Sequence, residues 1–482
     1  MNPNEKGRTT GGWRRLRHMR IALVLASIAM FTLTGRTVAD KIDPNLQPFN
    51  DASGQTQTFS TSGTFDTTNP FFQSLGTNAR TCATCHVVSE GMTITPAGVQ
   101  ARFNATGGTD PIFRTNDGSN SPNADVSTVA ARQAAYSMLL TKGLIRIGIG
   151  IPANAEFSLI GVDDPYGYAS AKELSLFRRP LPATNLPFLS AVMWDGRETV
   201  QPITGPLSLS NQALQADLVH QAVDATLGHA QATSAPTLQQ QQQIVAFETQ
   251  LYSAQIKDQS AGNLAVDGAL GGPQNLSNQP FYIGINDVLG GDPTGAAFNP
   301  NAMTLYGMWS FLTGSDSESL ARQSVARGEA IFNSRQFQIT GVAGLNDKLQ
   351  QASITGTCTT CHDTPNVGNH SVAAPLNIGT ADPPLSHPGL NTDGLPLYTL
   401  QNNTTGATVQ TTDPGRALIT GKWADIGKFK GPILRNLAAR APYFHNGAGT
   451  TLEDVVTFYN ARFNIGLSDQ DKADLVAFLK TL

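Results

Sequence analysis

Four cysteines occur among the 482 residues, and all four stand in one spacing that appears twice: Cys82-Ala83-Thr84-Cys85-His86 and Cys358-Thr359-Thr360-Cys361-His362. Two thiols three positions apart, followed at once by an imidazole, can be a redox dithiol, half of a zinc site, or an anchor for haem. In the last case the thiols bond to the vinyl groups and the histidine ligates the iron. A zinc cage would join both cysteine pairs in one site, and a dithiol has no use for a histidine repeated in the same place. Two independent, covalently bound haem c groups account for every one of these residues. No cysteine is left over for a disulfide or a thiol nucleophile.

Whether a haem carries electrons or does chemistry depends on its sixth iron position. Past His86 the next histidine is His220. Met92 lies so near that its thioether would have to loop round the ring edge, so core filling is its expected role and the first haem is expected open. No methionine follows Met308. The local candidates for the second haem are therefore His370, His387, His445, Tyr443 and Tyr459. Thr450 and Glu453 read as a capping box, after which Leu452, Val455, Val456 and Tyr459 share one helix face. On pattern alone Tyr459 is a core tyrosine whose hydroxyl needs one hydrogen bond. Trp194, beside Asp195-Gly196-Arg197, is by default a core aromatic, although an indole between two haems could also pass a hole.

To hold such groups, the chain is expected to be mostly α, with two cytochrome c-like haem domains and long ordered loops. Charged residues are only 14%, against 46 glycines and 28 prolines. The expected division is a signal peptide at 1–39, an N-terminal haem domain at 40–260, an interdomain region at 261–300 and a C-terminal haem domain at 301–482. Residues 40–77 read as an extended lead-in, 126–140 as a helix, and 145–151 as a strand or haem-lining segment. Residues 211–256, 301–312 and 317–332 read as helical, and 363–421 as a long loop of the kind usually held by function or cofactor. A last helix from near Ser468 is expected over the second haem.

Arg14, Arg15, Arg17 and Arg20 precede an apolar run at 21–33, with small residues at Thr37-Val38-Ala39, the layout of an export signal cleaved after Ala39. The run is short for a membrane span. Of 32 basic and 36 acidic residues, seven basic and one acidic precede position 40, so the mature chain has a net charge of about −10. That balance gives no reason to expect a nucleic-acid partner. It fits a periplasmic protein that is not a stable membrane protein after cleavage.

Taken together, the two haem motifs, the Met193-Trp194-Asp195-Gly196-Arg197 turn and the run FKGPILRNLAARAPYFHNGAGTTLEDVVTFYN at 429–460 resemble the bacterial di-haem cytochrome c peroxidase and MauG family. No likeness is seen near 100–175 and 260–300. The resemblance implies that hydrogen peroxide reacts at the N-terminal haem and that Trp194 relays oxidising equivalents to a six-coordinate C-terminal haem. It also places Tyr459 where MauG has a tyrosine ligand, making it the first choice for the second iron. A phenolate is a hard anionic donor that favours Fe(III) and Fe(IV), which implies MauG-like high-valent chemistry. Electrons would come from a small redox protein, a cytochrome c or cupredoxin, unless a protein substrate docks instead.

Departures from the family pattern shape further expectations. Arg102 stands near the place of a distal histidine, which implies an always-open first haem. The distal glutamate position falls near Gln212 or Gln215, so proton transfer is expected from Asp217, His220 or water. Arg179 and Arg440 replace neutral residues of the inter-haem calcium site and could supply that charge themselves, so no calcium is expected. His445 is expected in a supporting role. Two other classes remain open, a pure electron-transfer cytochrome and a haem oxygenase of an organic substrate.

Overall fold

Residues 44–199 and 212–482 are described by the computed structural model, and the expected signal peptide lies outside them. Five helices build the walls around the two motifs: α1 (Gln212–Gly228), α2 (Leu238–Glu248), α3 (Ser317–Ser334), α4 (Leu452–Arg462) and α5 (Asp469–Lys480). Their starts are written in the sequence as caps. Thr237 pairs with Gln240, Asp316 accepts from Ser319 N, and Ser468 pairs with Asp471. The box that opens α4 uses Thr451 and Asp454, one residue beyond the expected Thr450 and Glu453. Register still leaves Leu452 and Val456 buried and turns Tyr459 inward.

Helices α3 and α5 cross where α3 has Gly328. A methyl group there would lie 2.0 Å from the Asp474 carbonyl oxygen, so the close approach requires a residue without a side chain. Around this crossing Trp309, Phe332, Phe478, Leu475 and Leu479 join a buried cluster with Leu452 and Val456 from α4. Arg327 and Ser324 clamp the Asp474 carboxylate at the rim, Arg327 through both Nε and Nη2.

Helix takes 30% and strand 16% of the described residues, so ordered loops and small sheets carry much of their architecture. The lead-in supplies two strands, Pro48–Asn50 and Gly54–Ser60. They join Leu251–Asp258 and Gly262–Asn263 in a four-stranded antiparallel sheet. Helix was expected through 256, but it ends at Glu248. From Leu251 the chain pairs with residues 54–60, and Ser253 is bonded to both Thr58 and Thr184, so sheet pairing overrides the helical composition.

Residues 301–312 hold a single 3-10 turn, Gly307–Phe311, in place of the expected helix. Asn333 takes the backbone of Met303 and Glu329 takes the Tyr306 N–H, so side chains of α3 satisfy groups a helix would have used. The helix expected at 126–140 is two short ones, Val129–Ala135 and Ser137–Lys142, broken at Tyr136. Ile145–Ile149 is a strand paired with Leu174–Arg178. Within the expected long loop, Leu397–Asn402 pairs with Thr408–Thr411 on one side and with Phe157–Asp163 on the other. Residues 45–482 form one compact unit.

Candidate haem and redox site

Both Cys-x-x-Cys-His motifs fold into the same object. Cys82–Thr84 and Cys358–Thr360 are each a single 3-10 turn. Each is closed by a threonine hydroxyl that accepts a backbone N–H at 2.9 Å, Thr84 from Thr81 and Thr360 from Thr357. His86 Nδ1 donates to the Met92 carbonyl at 3.1 Å, and His362 Nδ1 donates to the Gly368 carbonyl at 2.6 Å. That bond fixes the tautomer and leaves Nε2 unprotonated, as an iron ligand must be. Burial holds both imidazoles at about 4, so they are neutral. A phenylalanine flanks each ring, Phe71 at 6.0 Å from His86 and Phe332 at 5.9 Å from His362.

One continuous cavity is lined by Cys82, Cys85 and His86 at one end and by Cys358, Cys361 and His362 at the other. Its walls are mostly apolar, yet Arg179, Lys430, Arg435 and Arg440 also face it. Burial pushes Lys430 down to about 7, with help from Arg440. Arg435 is 1% exposed and donates through Nη1 to the Asn366 carbonyl, while its Nε and Nη2 have no partner. Buried guanidinium N–H groups without acceptors call for an anion. Haem brings a flat apolar body, two carboxylates and two thioether links, so the residues present fit haem at both ends.

At the second motif the structure separates the candidates for the iron. Tyr459 lines the cavity with its ring 6.4 Å from that of His362. Burial, then the Cys361 and Cys358 thiols, raise its pKa, and no hydrogen bond enters among those causes. Of the other candidates, His370 and His387 pair with Asp363 and Asp382 and are not among the residues that line the cavity, while Tyr443, which lines it, donates to the Leu437 carbonyl. His445 stacks on Phe429 at 3.8 Å and lies beside Trp194.

Trp194 lies in the cavity wall and donates its indole N–H to the Arg179 carbonyl at 2.8 Å. Its turn hangs on a buried ion cluster. Arg178 donates to Asp195 through Nη1 at 2.5 Å and to Asp413 through Nε and Nη2 at 2.7 and 2.9 Å. Arg197 and Arg416 brace the same turn through the Asp195 carboxylate and carbonyl.

At the first motif, helix α1 carries the expected proton-transfer residues. Helix α1 turns Leu218, Gln221, Ala222 and Ala225 to the cavity. Helical phase then puts Gln215 on the exposed side, leaves Asp217 buried away from the cavity, and sends His220 outward. His220 bonds Glu198, its Nδ1 lying 2.6 Å from Oε2, an acid that no local motif had marked. The side chain of Gln212 lies outside the described residues. Met92 is fully buried in the cluster around Phe71 and Phe247. Arg102 braces the haem turn by donating to the Thr84 carbonyl at 2.6 Å and pairing with Asp110. The groups that do face the first crevice are Glu248, on α2, and a His229–Asp117–Arg80 cluster. Of the two expected calcium-site arginines, Arg179 is buried and bonded to the Ile94 and Gly143 carbonyls, and Arg440 is half-buried and bonded to those of Asn436 and Ile433.

No protein-family model matches the chain. The chain is 34% identical over 143 residues to cytochrome-c peroxidase IdrP1 of Denitromonas iodatirespirans, covering 26% of this chain and 36% of the relative. It is 44% identical over 69 residues to the cytochrome c551 peroxidase of Nitrosomonas europaea, covering 14% of this chain and 21% of that protein. The chain thus spans about a third or less of the length of these curated relatives. Among solved structures, a MauG-like protein associated with microbial copper homeostasis covers 86% of this chain at 16% identity and a TM-score of 0.32, too low to establish a common fold.

Proposed function

We propose that the chain is an exported, periplasmic di-haem c-type peroxidase that takes hydrogen peroxide at the His86 end and shares oxidising equivalents with the His362 end. One observation carries this reading: a single cavity joins both Cys-x-x-Cys-His motifs, and Tyr459 faces His362 with a hydroxyl that no described residue binds. The names of the partial relatives supply peroxide as the oxidant. No helix among the described residues is long and apolar enough to cross a membrane.

Haem, when bound, supplies the redox chemistry at each end. The protein's own residues do the rest. His86 and His362 present Nε2 to the two irons, and the Met92 and Gly368 carbonyls hold those rings in place. Tyr459 would help to hold the second iron, and its phenolate would favour the oxidised metal, the basis of MauG-like chemistry. Arg435 and its neighbours hold carboxylates, and Trp194 stands in the wall between the ends as the relay. Arg178 with its two carboxylates keeps that indole fixed. Electrons come from a small redox protein or from a protein substrate.

The experiment is to count covalent haem in the mature protein and then add stoichiometric peroxide to the diferric form, following Mössbauer and near-infrared spectra. Two haems per chain and a new oxidised species at both ends are expected. Spectra unchanged by peroxide would refute the peroxidase reading.

A further inference from the structure

The two crevices are closed by helices that end in the same letters, Val245-Ala246-Phe247 in α2 and Val476-Ala477-Phe478 in α5. Phe247 packs on Phe71 beside His86, as Phe478 packs on Phe332 beside His362. Helix α5 gives the cavity Leu475 and Leu479, and α2 gives it Ile244 and Glu248. Aligned on the shared letters, Ile244 matches Leu475 and Glu248 matches Leu479. One plan is built twice, and at this position it differs by a carboxyl.

Glu248 is 6% exposed and its Oε2 has no partner. A leucine fills the matching place in α5, so packing does not require an acid here, and an unpaired buried carboxyl costs stability. Its negative charge would be felt at Cys82, whose thiol is raised by burial and then by Glu248. Burial pushes Glu248 itself up to about 8, so in the haem-free chain it holds its proton at neutral pH. Across the crevice, α1 contributes uncharged Leu218, Gln221, Ala222 and Ala225. At the Cys85 side stand Arg80 paired with Asp117, to which His229 also bonds, and Arg102 paired with Asp110.

We propose that Glu248 carries the proton that balances the charge of the first haem iron. With ferrous iron the carboxyl is protonated. When the iron gives one electron to a one-electron acceptor, such as the mediator of a redox titration, and becomes ferric, the carboxyl gives its proton to water, and the carboxylate offsets the positive charge left behind. This rests on the reading that haem is attached at Cys82 and Cys85, and it deepens the assignment of that end as the reactive one.

Spectroelectrochemical titration of the holo-protein between about pH 5 and pH 9 tests it. The first haem's midpoint should fall as pH rises, by up to tenfold in its reduction equilibrium per pH unit, about 59 mV for one electron. The Glu248→Gln and Glu248→Leu variants should lose that slope and leave the second haem's midpoint unmoved, while His229→Asn should keep it. Pyridine haemochrome assay verifies that each variant retains its haems. A flat first-haem midpoint in the natural protein, or a slope that survives Glu248→Gln, overturns the proposal. If the Glu248 variants lose haem, the His229→Asn result decides, since loss of the slope there would assign the proton to the Asp117–His229 pair. Absence of peroxide turnover leaves these potentials readable, so the two readings fail separately.

Discussion

Replacing Asp195 with asparagine tests the ion cluster that carries the Trp194 turn. Asp195 is fully buried and Arg178 is 2% exposed. Burial pushes the Asp195 carboxyl up, but Arg178 and Arg197 outweigh it and hold the group at about 2, against an ordinary 3.8. A depression of that size corresponds to about 2.4 kcal/mol of folding stability. Breaking one arm of a buried ion pair costs about 3–5 kcal/mol when nothing else compensates. Arg178 keeps its two-pronged bond to Asp413, so the expected loss for Asp195→Asn is about 2–3 kcal/mol at neutral pH. Because the folded-state value is depressed, this stability is present above the unfolded carboxyl value and is lost as pH falls through about 2. The natural protein and the variant should therefore differ most near neutrality and converge in acid. Urea unfolding of the holo-protein across a pH series measures both features. A variant within about 0.5 kcal/mol of the natural protein at pH 7, or a gap unchanged down to about pH 2, would refute the reasoning.

With Tyr459 holding the second iron, as proposed, Tyr459→Phe should change the ligand field of the haem at Cys358 and Cys361 and leave that at Cys82 and Cys85 unaltered. Electron paramagnetic resonance of the diferric protein checks this, and an unaltered spectrum would assign the ligand elsewhere. Gly328→Ala drives a methyl group into the Asp474 carbonyl, 2.0 Å away, and should lower the thermal midpoint by an amount equivalent to about 1–3 kcal/mol. A calorimetric midpoint within error of the natural protein would mean that α3 and α5 part more easily than their packing implies.

What was legible in the chain follows from how local each signal is. The two Cys-x-x-Cys-His motifs, the start of the last helix near Ser468 and the inward phase of Tyr459 depend on residues within one or two turns of each other. The strand at Leu251–Asp258 depends on partners nearly 200 positions away, at 54–60, and its Ala- and Gln-rich approach pointed to helix instead. Which face of α1 meets the cavity was not legible locally, and Gln215 and His220 lie on the side away from it. Glu248 carried a readable signal in the Val-Ala-Phe letters it shares with α5. Reading it required treating the two ends of the chain as copies of one crevice.

The pairing of Phe157–Asp163 with Leu397–Asn402 has a mechanical consequence. Six residue pairs cross-link the half of the chain that holds one Cys-x-x-Cys-His motif to the half that holds the other, far from either. A hinge that swung the halves apart would have to shear those backbone bonds together, a cooperative load of many hydrogen bonds. Rigid-body separation is thereby disfavoured as a way into the cavity. Access to the cavity that leaves those pairs intact requires smaller local motions of the segments at its rim.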